Sequence, residues 1–233
     1  MSRIPYYEVD NATGKHAEFL EKLKPHLNIY RMLANSEYGA KGFVRMGNAL
    51  LHRCELDPAL RELAILRVGR LSRAAYEVFQ HERIAREAGV AEDKIAALRD
   101  ATIEAPAFSD NDKAVLRYTD DVVRNVRASD KTLKAVQAFL TPGALVELTL
   151  TIGYYMMVCR LLETSGVDGE DGQAEWLKTA KLLRFSNGVP RPDRAVHARD
   201  QHLLETADDA GRLPPALADR RRGDGAALHR DEE

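Results

Sequence analysis

Hydrophobic residues along the chain recur mostly at helical spacing, and the strict alternation typical of strands is nearly absent. In residues 38–51, for example, Phe43, Met46 and Leu50 follow one another at intervals of three and four. Glycine and proline fall mostly between such periodic segments, where they end helices. The pattern therefore predicts an all-α protein.

Start and stop signals divide this pattern into about eight helices. Asp57 can cap a helix whose first residue is Pro58, and Ser72 can cap the next one, which Gly89 would end. Ser109 and Thr141 are further capping candidates, and Gly166 closes the last helix. The predicted helices cover residues 16–27, 38–51, 57–71, 72–88, 92–98, 109–126, 130–140 and 141–166.

One run, residues 144–162, is almost long and apolar enough to span a bilayer. It carries Glu147 in its middle and Arg160 near its end. A central carboxylate costs about 2.5 kcal/mol or more in lipid. We therefore predict a buried core helix and no membrane association.

The character of the chain changes near its C-terminus. After Phe185 there is no aromatic residue, and after Lys181 there is no lysine, while four prolines interrupt any long helix. Such a segment cannot bury enough apolar surface to offset its ordering entropy. We predict a helical domain over residues 1–187 and a charged, low-order tail over residues 188–233.

The composition is that of a soluble globular protein: 233 residues, 45% hydrophobic, 30% charged, with a formal net charge of −2. Near-neutral charge gives no reason to expect a nucleic-acid partner. Two cysteines, Cys54 and Cys159, make neither a disulfide framework nor a metal motif. Because the N-terminus lacks a signal-peptide pattern, we expect a cytoplasmic protein.

A histidine lies in the buried seam of the helix predicted over residues 72–88. The residues of this seam recur at spacings of four and three: Ala74, Val78, His81, Ala85 and Ala88. His81 is therefore expected to point inward, and Glu77 lies one turn earlier on the same side. His81 could be a core histidine bonded to a backbone carbonyl, and Glu77 could pair with Arg73 at the surface. Alternatively, both belong to an active site.

Glu62 lies on the preceding helix, which is apolar on most sides, and no basic residue stands three or four positions away. It could sit near the helix N-terminus, where the helix dipole helps it, or it must find a partner elsewhere in the fold. We hypothesise that Glu62 and His81 meet in one pocket and move protons near neutral pH.

The stretch RELAILRVGRLSRAAYEVFQHERIAREAGV resembles the carboxymuconolactone decarboxylase family, which includes alkyl hydroperoxidase D. The later stretches DKAVLRYTDDVVRNV and LTPGALVELTLTIGYYMMVCRLLETSGV resemble the second half of its longer members, so the likeness runs from about residue 28 to 167. It implies an alkyl hydroperoxidase D-like helical bundle, a homo-oligomer (trimer or hexamer), and no metal or organic cofactor.

The hydroperoxidase branch of this family carries a Glu, then Cys-x-x-Cys, then a His four residues later. Laid on this chain, the Glu falls on Glu62 and the His on His81, but Ala74 and Glu77 stand where the cysteines would be. Peroxidase chemistry needs a thiolate nucleophile. The resemblance is therefore to a branch without the cysteine pair.

The resemblance and the residues together predict a cofactor-independent lyase, decarboxylase-like, or an isomerase, acting on a small carbonyl or lactone acid. His81 would be the general acid and base, Glu62 would orient it, Glu77 would take part in catalysis, and Tyr76 would bind substrate. Two alternatives stay open: a peroxiredoxin-like antioxidant and a non-catalytic helical oligomer.

Overall fold

The structure is a computed structural model that describes residues 2–99 and 102–173. Within these ranges it contains nine α-helices, one 3₁₀ turn at Val9–Asn11, and no strand, which confirms the all-α prediction. The helices are α1 (Gly14–Glu21), α2 (Asn28–Leu33), α3 (Glu37–His52), α4 (Pro58–Ser72), α5 (Ala75–Glu87), α6 (Glu92–Arg99), α7 (Asp110–Asn125), α8 (Asp130–Gln137) and α9 (Pro142–Ser165). The predicted boundary at 187/188 and the predicted tail lie outside the described residues.

Several helices begin and end where their capping residues predict. The Asp57 carboxylate accepts a hydrogen bond from the Leu60 amide at 2.9 Å, and the Thr141 hydroxyl accepts one from the Ala144 amide at 3.0 Å. Ser109 and Asp112 form a capping box at the start of α7. Gly166 ends α9 in the left-handed conformation, with φ of 62°.

Two predicted boundaries are wrong. The helix predicted over residues 16–27 ends at Glu21, and a separate six-residue helix, α2, follows it, too short to give a clear periodic signal. Ser72 caps nothing: it is the last residue of α4, and the chain reverses through Arg73, whose φ is 58°. The Ala74 amide then donates to the Gly69 carbonyl at 2.9 Å, so a backbone bond closes the turn instead of a side-chain cap.

Helix α4 occupies the centre of the fold, packed against α5, α7 and α9. Ten consecutive residues, Arg61 to Arg70, are buried, so the helix is enclosed on every side. Its charged residues therefore need partners inside the protein. Arg67 donates two hydrogen bonds to Asp120, at 2.5 and 2.7 Å, and Arg70 lies 3.4 Å from Glu82.

Helix α9 is the long apolar run, and it packs along α4 as a core helix, with Leu148, Ile152 and Val158 buried. Among the described helices it is the one long and apolar enough to cross a membrane by length and composition, a test that core helices also pass. Its other face leaves Val146 57% and Met157 48% exposed.

Candidate active site

Glu62 and His81 meet across the α4–α5 interface, as the sequence analysis proposed. The imidazole Nδ1 of His81 lies 2.7 Å from Glu62 Oε2, and both side chains are buried. The approach depends on Gly69, one of the residues where α5 crosses α4. A Cβ at Gly69 would lie 2.9 Å from Val78 Cγ2, closer than side chains pack. Glycine at this position therefore brings the two helices close enough for the pair to form.

Glu77 completes the arrangement on the other side of the ring. Its Oε1 lies 3.1 Å from His81 Nε2, so the imidazole stands between two carboxylates. The predicted alternatives are wrong: Glu77 is buried whereas Arg73 is exposed, and the polar partners of His81 are carboxylates, not a backbone carbonyl.

Arg61 is a site residue that the sequence analysis missed. Its Nε donates to Glu62 Oε1 at 3.2 Å, so Glu62 does have a basic partner, in the adjacent position. Residues three and four positions away share a helix face with Glu62, and Arg61 is not among them, so helical spacing does not predict this pair. In a helix buried all round, neighbours in sequence can also pair.

The two carboxylates keep His81 charged. Burial alone would lower the pKa of His81, but attraction to the charges of Glu77 and Glu62 and the hydrogen bond to Glu62 outweigh it and raise the pKa to about 9. At neutral pH the side chain is therefore an imidazolium with a proton on each nitrogen. Such a group is a general acid.

Aromatic rings fix the position of the imidazole. The ring of Tyr155 meets that of His81 edge to face, with centroids 4.8 Å apart, and Tyr154 stacks in the same way on Tyr155. Tyr154 is held in turn by its hydroxyl, which donates to the Phe43 carbonyl at 3.0 Å. Burial raises the pKa of Tyr155 well above its usual value, so this ring stays a neutral phenol.

A cavity of about 210 Å³ lies against Glu77 and His81, smaller than the pockets that hold drug-sized ligands. Its walls are mostly aromatic and aliphatic side chains from α2, α3, α5 and α9: Ile29, Tyr30, Phe43, Val44, Leu51, Tyr76, Ile84, Tyr154, Tyr155 and Val158. Three polar side chains also line it, namely Asn48, Gln80 and Arg83, of which Asn48 and Arg83 are exposed and so mark the opening. Glu62 lies behind His81, outside the lining.

Tyr76 lines this cavity with its ring, but its hydroxyl is committed elsewhere. It donates to Glu170 Oε1 at 2.6 Å, and the same oxygen accepts a hydrogen bond from the Asn28 amide. Burial and the neighbouring Glu170 raise the pKa of Tyr76. The predicted contact of Tyr76 with substrate stays a prediction, through the ring rather than the hydroxyl.

Neither cysteine has the environment of a reactive thiol. Cys159 is buried on α9 and Cys54 is half-buried after α3, and both are free thiols. Burial raises the pKa of each, and the carboxylates of Glu77 and Glu147 add to the effect at Cys159 and Cys54, respectively. Across residues 2–99 and 102–173, no three His, Cys, Asp or Glu side chains are arranged to hold a metal ion.

The arrangement of the helices defines an alkyl hydroperoxidase D-like fold. A peroxidase-related protein from Ralstonia eutropha JMP134, described as an alkylhydroperoxidase AhpD core, superposes with a TM-score of 0.63 at 16% identity, over 74% of this chain and 94% of that one. The debrominase Bmp8, in complex with 2,3,4-tribromopyrrole, superposes with a TM-score of 0.58 at 12% identity, over 70% of this chain and 93% of that one. Identities this low establish the fold alone.

Residues 39–121 match the model of the carboxymuconolactone decarboxylase family. The segment contains Glu62, Tyr76, Glu77 and His81. No curated protein is significantly similar to the chain in sequence.

Proposed function

We propose that the protein is a cofactor-independent acid–base enzyme of the family branch without redox cysteines, a decarboxylase-like lyase or an isomerase of small carbonyl or lactone acids. The observation that carries this proposal is the buried imidazole of His81, held by Glu62 at 2.7 Å and facing a small cavity beside Glu77. A positioned histidine with a carboxylate behind it is a common device for moving protons.

In the lyase reaction, the bond between the substrate carboxylate and its neighbouring carbon breaks and carbon dioxide leaves. The electron pair moves onto an adjacent carbonyl, which becomes an enolate. His81 then gives its Nε2 proton to carbon as the carbonyl forms again, and regains a proton from water entering the cavity. The positive charge on His81 stabilises the enolate before the proton moves.

In the isomerase reaction, the Glu77 carboxylate removes a proton from the carbon beside the carbonyl, and His81 returns a proton at another position of the resulting enol. A proton then passes back from Glu77 to His81 across the 3.1 Å that separates Oε1 and Nε2. In both reactions the products together have the same total oxidation level as the substrate, so neither reaction needs an oxidant or a reductant.

A peroxidase-like antioxidant is the second candidate, because the fold is shared with peroxidase-related proteins such as that of Ralstonia eutropha JMP134. That chemistry needs a thiolate and a resolving thiol. The raised pKa values of Cys54 and Cys159, and the presence of Ala74 and Glu77 at the motif positions, argue against it.

The test is to screen a library of small carbonyl and lactone acids for turnover. The two readouts are release of carbon dioxide and proton exchange with deuterated water. For a compound that is turned over, we expect His81→Gln and Glu62→Gln each to lower kcat by about 10²-fold or more. His52→Gln is the matched control, since His52 is exposed at the end of α3 and should leave kcat unchanged. A folded His81→Gln protein with a near-normal kcat would overturn the proposal.

A further inference from the structure

The carboxylate of Glu77 has an unused hydrogen-bond acceptor in the cavity wall. Its Oε1 is buried and, although it lies 3.1 Å from His81 Nε2, it accepts no well-aligned hydrogen bond from any described residue. Glu62, in contrast, receives hydrogen bonds from His81 and from Arg61. A buried acceptor left without a donor is costly, and a charged one especially so.

Two other polar groups of the inner cavity wall are already engaged. The Tyr76 hydroxyl donates to Glu170 and the Tyr154 hydroxyl donates to the Phe43 carbonyl, so neither is directed to Glu77. The remaining inner walls are apolar or aromatic and include Tyr30 and Tyr155, whose hydroxyls make no hydrogen bond to Glu77 Oε1. Glu77 Oε1 can therefore accept a hydrogen bond from a molecule that enters the cavity.

The charges at this end of the cavity decide which group can sit there. Glu62 and Glu77 are two negative charges against the single positive charge of His81, and Arg61 contacts Glu62, not Glu77. A second carboxylate placed beside Glu77 in this desolvated position would be repelled. Any carboxylate of the ligand is better accommodated at the opening, where Asn48 and Arg83 are exposed and Gln80 is half-buried.

We propose that the cavity selects a small unsaturated ligand that directs an uncharged O–H or N–H group, such as a phenol, an enol or a pyrrole-type nitrogen, at the Glu77 carboxylate. The flat aromatic walls suit a ring, and a volume of about 210 Å³ limits it to a single small one. This inference rests on the proposed function for the identity of the site, and it adds the orientation of the substrate in the lyase reaction, where Glu77 takes no proton from carbon: hydroxyl or N–H inward, any carboxylate outward.

The test measures the equilibrium binding of three probes of similar size by NMR titration: phenol, its methyl ether anisole, and benzoate. Phenol carries the donor, anisole lacks it, and benzoate carries a negative charge instead. We expect phenol to bind at least about tenfold more tightly than anisole, as one hydrogen bond to a charged group would give, and benzoate to bind more weakly than phenol.

Glu77→Gln should remove about a factor of ten from phenol affinity and leave anisole affinity unchanged. Glu87→Gln is the matched control, because Glu87 is an exposed residue of the same helix that pairs with Arg83 at 2.7 Å; it should preserve the preference for phenol. Tighter binding of benzoate than of phenol, equal binding of phenol and anisole, or an unchanged preference in Glu77→Gln would overturn the inference.

These outcomes are separate from those of the activity screen, since binding of the probes requires no turnover. A phenol preference that depends on Glu77, without any His81-dependent reaction, leaves this inference intact and removes the proposed function. His81-dependent turnover of a substrate that has no O–H or N–H donor does the reverse.

Discussion

At the scale of single residues, the site is defined by one imidazole and the groups that hold its charge. His81 could be singled out from sequence because it interrupts an apolar seam, and Glu62 because it stands on a helix that is otherwise buried. Glu77 followed from helical spacing alone. Each of these signals is local, which is why all three residues could be named before their geometry was known.

Other members of the site carry no local signal. Tyr155 contacts His81 across 74 positions of sequence, and Glu170 binds Tyr76 from 94 positions away. Tyr155 belongs to a run of apolar residues that predicts a buried core helix and nothing more specific. Pairings of this kind are set by how helices pack, so a single sequence does not reveal them.

The cysteines give the first prediction at this scale. Because burial raises the pKa of both thiols, little thiolate forms at neutral pH. We expect hydrogen peroxide or an organic hydroperoxide to be consumed in the presence of dithiothreitol no faster than in buffer. Robust peroxide turnover that disappears in Cys54→Ser or Cys159→Ser would contradict this account and favour the peroxidase-like antioxidant instead.

At the scale of helices, the sequence predicted the elements better than their junctions. The capped starts of α4, α7 and α9 were correct because each cap lies within one turn of its helix. The junction of α4 and α5 was wrong because Arg73, a residue without special turn propensity, takes the left-handed conformation. The packing of α5 on α4, not local preference, stabilises that turn.

Gly69 provides a test of this junction. In an open helix position, replacing glycine with alanine is expected to raise the free energy of unfolding by up to about 1 kcal/mol. At Gly69 the added Cβ would meet Val78 Cγ2 at 2.9 Å, a stiff side chain close to the backbone. We therefore expect Gly69→Ala to lower the free energy of unfolding by about 1–3 kcal/mol in urea denaturation.

Gly42→Ala is the matched control, since Gly42 lies inside α3 with nothing within 4 Å of the added Cβ. It should be neutral or stabilising. A Gly69→Ala protein as stable as the Gly42→Ala protein would show that the α4–α5 contact is looser than described.

At the scale of the whole molecule, the exposed apolar residues of α9 bear on assembly. Val146, Leu150 and Met157 lie on one face of the helix, and each is at least 45% exposed. Apolar faces of this kind are typical of interfaces. The homo-oligomer expected from the family resemblance, a trimer or a hexamer, stays a prediction.

The charge of His81 also has a consequence for the stability of the whole molecule. The pKa of His81 is raised to about 9 in the folded protein from about 6.5 in an unfolded chain. A raised pKa means that the folded state holds its proton more tightly. The resulting stabilisation is complete below about pH 6.5 and is lost as the pH rises through about 9.

The most direct test of the central claim is therefore the free energy of unfolding as a function of pH at constant protein concentration. The reference is the double variant His81→Gln/Glu77→Gln, which lacks the imidazole without leaving an extra buried negative charge. Relative to this reference, we expect the wild type to lose about 3 kcal/mol between pH 6.5 and 9. Parallel curves for the two proteins over this range would contradict a buried imidazolium held between Glu62 and Glu77.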